Sequence, residues 1–140
     1  MITKQRLTKE DFFNIIDSIE YREQDITEAK DFGCSSIRDV YLAAMHKFAR
    51  YFVVYEDDIP VVTVMLQRDG HIVFFISKYV KHHIAIIRFL RSFAMEVVEC
   101  CGPIITKTAN WYTEARRLND LIGFKLYYLK DKFGIYVLEN

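Results

Sequence analysis

Residues 51–77 constrain this chain most. Tyr51-Phe52-Val53-Val54-Tyr55 is β-branched and aromatic, which favours a strand. Val61 to Leu66 reads as a second strand, with Pro60 tolerated at its start. His71 to Ser77 reads as a third, and its nearly continuous apolar run predicts cover on both faces. Glu56-Asp57-Asp58 is a polar turn whose charges are expected to be solvated, and Asp69-Gly70 is a strong hairpin signal. Three strands so closely spaced predict an antiparallel meander, against which the helices must pack.

The flanks supply those helices. Ile2 to Leu7 reads as a short strand. Thr8 and Asp11 make a capping-box pattern, and Phe12, Phe13, Ile15, Ile16 and Ile19 follow at helical spacing, predicting a helix over 9–20. A second helix is expected from Ile26 to Phe32, stopped at Gly33. Ser36 and Asp39 repeat the capping pattern before the stripe Ile37, Val40, Tyr41, Ala44, Phe48. After the meander, a long helix is expected from Val80 to Cys101. Its face is Ile84, Ile87, Leu90, Arg91, Ala94, Val97 and Val98, and Gly102-Pro103 stops it. Ile104 to Thr108 is a further strand, Tyr112 to Ile122 a helix closed by Gly123, and Lys125–Leu129 and Phe133–Leu138 a final strand pair. The order β-α-α-β-β-β-α-β-α-β-β, with a third helix bracketed before the meander, predicts an α/β fold with one mixed sheet and helices on both faces.

Composition bounds the class. With 140 residues, 51% apolar, five Gly and two Pro, the chain is expected to be one domain over 1–140 with little linker. Lys plus Arg and Asp plus Glu are both 19, so the basic excess of a non-specific nucleic-acid binder is missing and no nucleic acid is expected. The first residues lack a signal peptide's apolar core, and no apolar run approaches the ~20 residues that span a bilayer. A soluble cytoplasmic protein with no membrane partner is therefore expected.

Candidate chemical groups are few. Cys34, Cys100 and Cys101 make no disulfide framework and read as free thiols. Cys100 and Cys101 end a helix, where the dipole opposes thiolate formation; Cys34 lies at a helix start with His46 its nearest base in sequence. His82 and His83 are adjacent and point about 100° apart on a helix, and His46 and His71 have no ligand spacing, so no metal site is expected. Trp111 and Tyr112 open a helix, as a pocket wall, an interface anchor or sheet-edge packing. Tyr127, Tyr128, Phe133 and Tyr136 read as strand packing, or as an oligomer interface.

This element order resembles the Gcn5-related N-acetyltransferase (GNAT) fold over essentially the whole chain. Arg6-Leu7-Thr8-Lys9-Glu10-Asp11 looks like the family's opening strand and capped helix. Ala115, Gly123 and Phe124 match the late pattern N-x-x-A-x-x-x-Y-x-x-x-G-F, with Leu118 beside them. Asp25-Ile26-Thr27-Glu28-Ala29-Lys30-Asp31-Phe32-Gly33 resembles the D-I-x-E-A-K-x-x-G segment of small GNAT-like proteins of short-tailed bacteriophages, implicated in assembling the internal core of the virion.

The resemblance implies a site for acetyl-CoA. The family holds the cofactor's pyrophosphate on backbone N–H groups at the start of the long helix, in a loop of pattern [QR]-x-x-G-x-[GA]. Here that stretch is Ser77-Lys78-Tyr79-Val80-Lys81-His82-His83-Ile84-Ala85, with no glycine. Were CoA to bind, Ser77, Tyr79, Lys81, His82 and His83 would hold it, with Lys78 adding charge; otherwise the cluster is a solvated loop. The family's late Asn is Tyr112 here, with Asn110 two residues earlier, and its late Tyr is Asn119, which cannot protonate a leaving thiolate. Strand 71–77 carries no carboxylate base.

Two functions follow from this resemblance. The first is a phage-type GNAT-like protein, non-catalytic, acting by binding a virion or host protein in virion assembly or as a virion component, with a homo-oligomer as an option. The second is an acyl-CoA-dependent N-acyltransferase with a glycine-free loop. A small phage effector that binds a host protein is a third and weaker option. The enzyme reading predicts a splay of the fourth and fifth strands opening onto 77–83; the binding reading predicts that splay closed or filled.

Overall fold

The computed structural model describes all 140 residues. Seven strands and five helices follow the order β1 (Ile2–Leu7), α1 (Lys9–Ile16), α2 (Glu23–Asp31), α3 (Ile37–Ala44), β2 (Arg50–Glu56), β3 (Ile59–Leu66), β4 (Ile72–Ile76), α4 (His83–Cys101), β5 (Ile104–Ala109), α5 (Thr113–Ile122), β6 (Lys125–Lys130) and β7 (Phe133–Leu138). This is the expected mixed α/β class, with the bracketed third helix present. No helix is long and apolar enough to cross a membrane.

The strands form two sheets rather than one: β1-β2-β3-β4 and β5-β7-β6. The pairs β1–β2, β2–β3, β5–β7 and β6–β7 are all antiparallel. The parallel pairing that one mixed sheet would need is reduced to a single bridge, His71 with Ile105. There Ile105 N–H donates to the Gly70 carbonyl at 2.9 Å. Pro103, just before β5, has no N–H to extend a ladder. A Cβ on Gly70 would come 2.7 Å from the Pro103 carbonyl oxygen, so this close approach admits glycine alone.

Contacts gather into two compact units, Met1–Asp69 with Val73–Lys81, and Gly70–Ile72 with His82–Asn140. In the first, Phe12, Phe13 and Ile16 of α1 pack with Ile37, Val40 and Tyr41 of α3 over Tyr51, Val53, Met65 and Phe75. Phe12 is the hub: its ring centroid lies 5.6, 5.1 and 4.9 Å from those of Phe13, Tyr41 and Tyr51. Thr8 and Ser36 cap their helices through the backbone N–H groups of Asp11 and Asp39, at 3.2 and 3.1 Å. Asp57 and Asp58 both have positive φ, 49° and 67°, as a two-residue type I′ hairpin turn requires.

Element ends depart from the sequence pattern in instructive places. The helix expected over 9–20 stops at Ile16, where the Ser18 hydroxyl and N–H both turn back to the Ile15 carbonyl. The second helix starts at Glu23 rather than Ile26, because the Asp25 carboxylate accepts the Arg22 N–H at 3.2 Å. Phe48 lies outside α3 and is exposed, with the Lys47 and Arg68 cations 5.6 and 5.3 Å from its ring centre.

The second unit packs α4 against α5. The long helix begins at His83, so Val80, Lys81 and His82 precede it. Its buried face is Ile86, Leu90, Phe93, Ala94, Val97 and Val98; Ile84 and Arg91, expected on that face, are exposed. Gly123 closes α5 with φ 117°, which an L side chain rarely adopts.

Candidate functional site

The stretch 77–83 straddles the boundary between the units, which falls between Lys81 and His82. In the first unit its polar groups are engaged by the chain itself. Ser77 bridges Tyr21, its N–H donates to the Val61 carbonyl at 2.7 Å, and its hydroxyl accepts the Tyr79 N–H at 3.1 Å. The Lys78 N–H donates to the Glu20 carbonyl at 3.0 Å, and the Lys78 ammonium pairs with the Glu20 carboxylate, also at 3.0 Å. The Tyr79 hydroxyl donates to that carboxylate at 3.1 Å. The hydrogen bond from Lys78 holds the Glu20 carboxyl below its ordinary pKa, and Glu20 in turn raises Lys78.

The Lys81 N–H donates to Glu56 Oε1 at 2.8 Å. Glu56, expected in a solvated turn, closes strand β2 and is only 4% exposed. A carboxylate at that depth persists only with hydrogen-bond donors around it, and this N–H is one. Asp57 and Asp58 form the turn proper and are exposed. In the second unit His82 is the residue before α4, with φ −111° and ψ 74° and no side-chain cap, and its carbonyl accepts the Ile86 N–H at 3.0 Å. His82 and His83 are exposed, and the first turn of α4 carries no acid.

Residues of the late motif tie elements of the second unit together. Asn119 is buried, and its amide donates to Thr108 Oγ1 at 2.8 Å, tying α5 to β5. The Asn119 backbone carbonyl accepts the Gly123 and Phe124 N–H groups at 3.1 and 2.9 Å. Tyr112 is buried and stacks on half-exposed Trp111, with ring centres 5.2 Å apart and planes 9° apart. Arg116 donates to the Tyr136 hydroxyl and the Asn110 carbonyl at 3.1 and 3.0 Å.

Other ionisable groups were not legible as buried. Asp25 and Glu28 of α2 are both buried, as is Ala29. These are three of the letters that carry the phage-type resemblance, so part of that segment's pattern is helix packing. The Tyr41 hydroxyl donates to the Thr63 carbonyl at 2.9 Å and lies 2.7 Å from Thr63 Oγ1; Tyr21 reaches the same Oγ1 at 3.5 Å. Burial pushes Tyr41 well above its ordinary pKa and Tyr21 up to about 12. Burial also raises the Cys34 thiol, the opposite of nucleophile activation, while Cys100 and Cys101 are exposed. No group of three His, Cys, Asp or Glu side chains is placed to hold a metal ion.

The chain has the fold of the GNAT acetyltransferases. It superposes on the GNAT domain of Streptomyces lividans PAT with a TM-score of 0.70 and 10% identity, covering 98% of this chain and 89% of that one. A domain from Methanocaldococcus jannaschii gives 0.71 and 12%, covering 99% and 97%. The Campylobacter jejuni N-acetyltransferase PseH, in complex with acetyl coenzyme A, gives 0.60 and 13%, covering 99% of both chains. No protein-family model matches the sequence, and no curated protein matches it either.

Proposed function

We propose that this chain uses the acetyltransferase fold as a binding scaffold, and acts through a protein partner in the assembly or make-up of the virion of a short-tailed bacteriophage. One observation carries the non-catalytic part: the Lys81 N–H, in the loop that would face a pyrophosphate, is already bound to the chain's own Glu56 carboxylate at 2.8 Å. A diphosphate brought to that N–H would have to displace the Glu56 oxygen that already occupies it. Lys78, which would add attraction, is paired with Glu20. The stretch also lacks the glycines that let a phosphate approach the backbone. The residues of the first unit therefore do not fit acetyl-CoA. Buried Asn119, bound to Thr108, replaces the family's proton donor. The phage-specific part is supported by the Asp25–Gly33 segment.

A second reading, an acyl-CoA-dependent N-acyltransferase, is favoured by the other half of the stretch. His82 and His83 stand at the start of a long helix whose first turn has neither acid nor side-chain cap, a setting friendly to an anion. Thermal-shift titration with acetyl-CoA, with CoA as control, separates the two. Binding at 100 times the dissociation constant adds roughly 2.7 kcal/mol, a shift of a few degrees at this size. No shift at millimolar ligand is the expected result. A saturable shift overturns the scaffold reading and makes Lys81, His82 and His83 the first residues to substitute. Mass spectrometry of purified particles and assembly intermediates of the phage tests the assembly role; absence of the chain from both would overturn it.

A further inference from the structure

Every residue of β6, Lys125-Leu126-Tyr127-Tyr128-Leu129-Lys130, is exposed. Leu126, Tyr127, Tyr128 and Leu129 are 45, 75, 49 and 62% exposed. β6 is also the edge of its sheet, with β7 on one side only. An edge strand offers N–H and C=O groups for pairing with another strand.

The strand's sequence reads the same in both directions. Antiparallel self-pairing about a two-fold axis must be centred on a residue, because directly opposed residues point to the same face. A six-residue palindrome has no central residue, and the bulge supplies one. Lys125, Leu126, Tyr128, Leu129 and Lys130 pair with Val137, Tyr136, Ile135, Gly134 and Phe133 of β7, leaving Tyr127 out of the ladder. The in-register residues are therefore Lys-Leu-Tyr-Leu-Lys, centred on Tyr128.

We propose that β6 pairs antiparallel with β6 of a second copy of this chain about a two-fold axis through Tyr128. Tyr128 then faces Tyr128, and Leu126 faces Leu129, cross-strand pairs that stabilise a sheet. Lys125 faces Lys130 at both ends, which opposes the pairing and makes it tighter at high salt. A single five-position strand edge offers less than the ~800 Å² per partner of a standard interface, so the dimer is weak and reversible. This inference goes beyond the scaffold reading and does not depend on whether the 77–83 stretch takes a ligand.

Sedimentation velocity of the full chain over the micromolar range, at low and high salt, tests it. The expected result is a monomer–dimer equilibrium that tightens with salt. Lys125→Glu turns both end pairs attractive and should tighten the dimer on the order of tenfold. Lys130→Glu should match it by symmetry, and the double variant should return towards the unsubstituted chain. Tyr128→Lys should leave only monomer. Since these side chains are exposed, circular dichroism should show every variant folded. A monomer at all concentrations, a dimer indifferent to Tyr128→Lys, or no tightening by either single variant would overturn the proposal.

Discussion

Tyr41 and Tyr128 are the same residue type on elements that both carry apolar neighbours, and they meet opposite fates. Tyr41 in the first unit has no exposed surface, touches Phe12 and Phe75, and spends its hydroxyl on Thr63. Tyr128 in the second unit is half exposed on an edge strand. The difference teaches that aromatic density does not mark a core. The Tyr41 hydroxyl can be buried because a partner, Thr63, arrives from a strand distant in sequence. Tyr128 lies on a strand with a neighbour on one side only, and its ring stays half exposed.

Substitutions can break this contrast, and the largest effect belongs to the first unit. Phe12→Ala removes the ring at the hub of the aromatic cluster and should cost about 3–5 kcal/mol, read by chemical denaturation. A loss below about 1 kcal/mol would mean that the cluster does not carry the unit.

The alkaline limb comes next. Tyr21, at about 12, sits above the ~10 of an unfolded phenol, and Tyr41 is shifted the same way. A raised folded pKa contributes stability that is complete below pH ~10 and lost as pH rises towards 12. Denaturation midpoints should therefore fall across that window, and Tyr21→Phe should fall less. A Tyr21→Phe profile parallel to the unsubstituted chain would remove Tyr21 from the account.

The smallest effect belongs to β6. Tyr127→Ser removes a ring that is three quarters exposed and outside the ladder, and should change monomer stability by no more than ~0.5 kcal/mol. A cost of 2 kcal/mol in thermal unfolding of the monomer would show that β6 is part of the core after all, and the contrast would collapse.

Much of the fold was legible because its signals are local. The caps at Thr8 and Ser36, the turn at Asp57-Asp58 and the stop at Gly123 each rest on residues within a few positions. The long helix starts later than its periodicity predicts for the same reason: the pattern continues through Val80 and Lys81, but the Lys81 N–H is drawn to Glu56, remote in sequence. The loop's cations were legible; their engagement was not. Lys78 looks available for an anion until Glu20, from the segment between α1 and α2, is placed beside it. Asn119 was legible as a missing phenol, but not as the tie between α5 and β5.

By itself the sequence determined the order of strands and helices, their class, and the lack of glycine between Ser77 and Ala85, because periodicity, capping and turn chemistry act over a few residues. Only the tertiary structure decided that there are two sheets, that Glu56 is buried against the Lys81 N–H, and that Tyr128 stays exposed while Tyr41 does not. Those outcomes depend on which distant groups arrive to satisfy a buried charge, a hydroxyl or a strand edge, and no local pattern encodes that arrival.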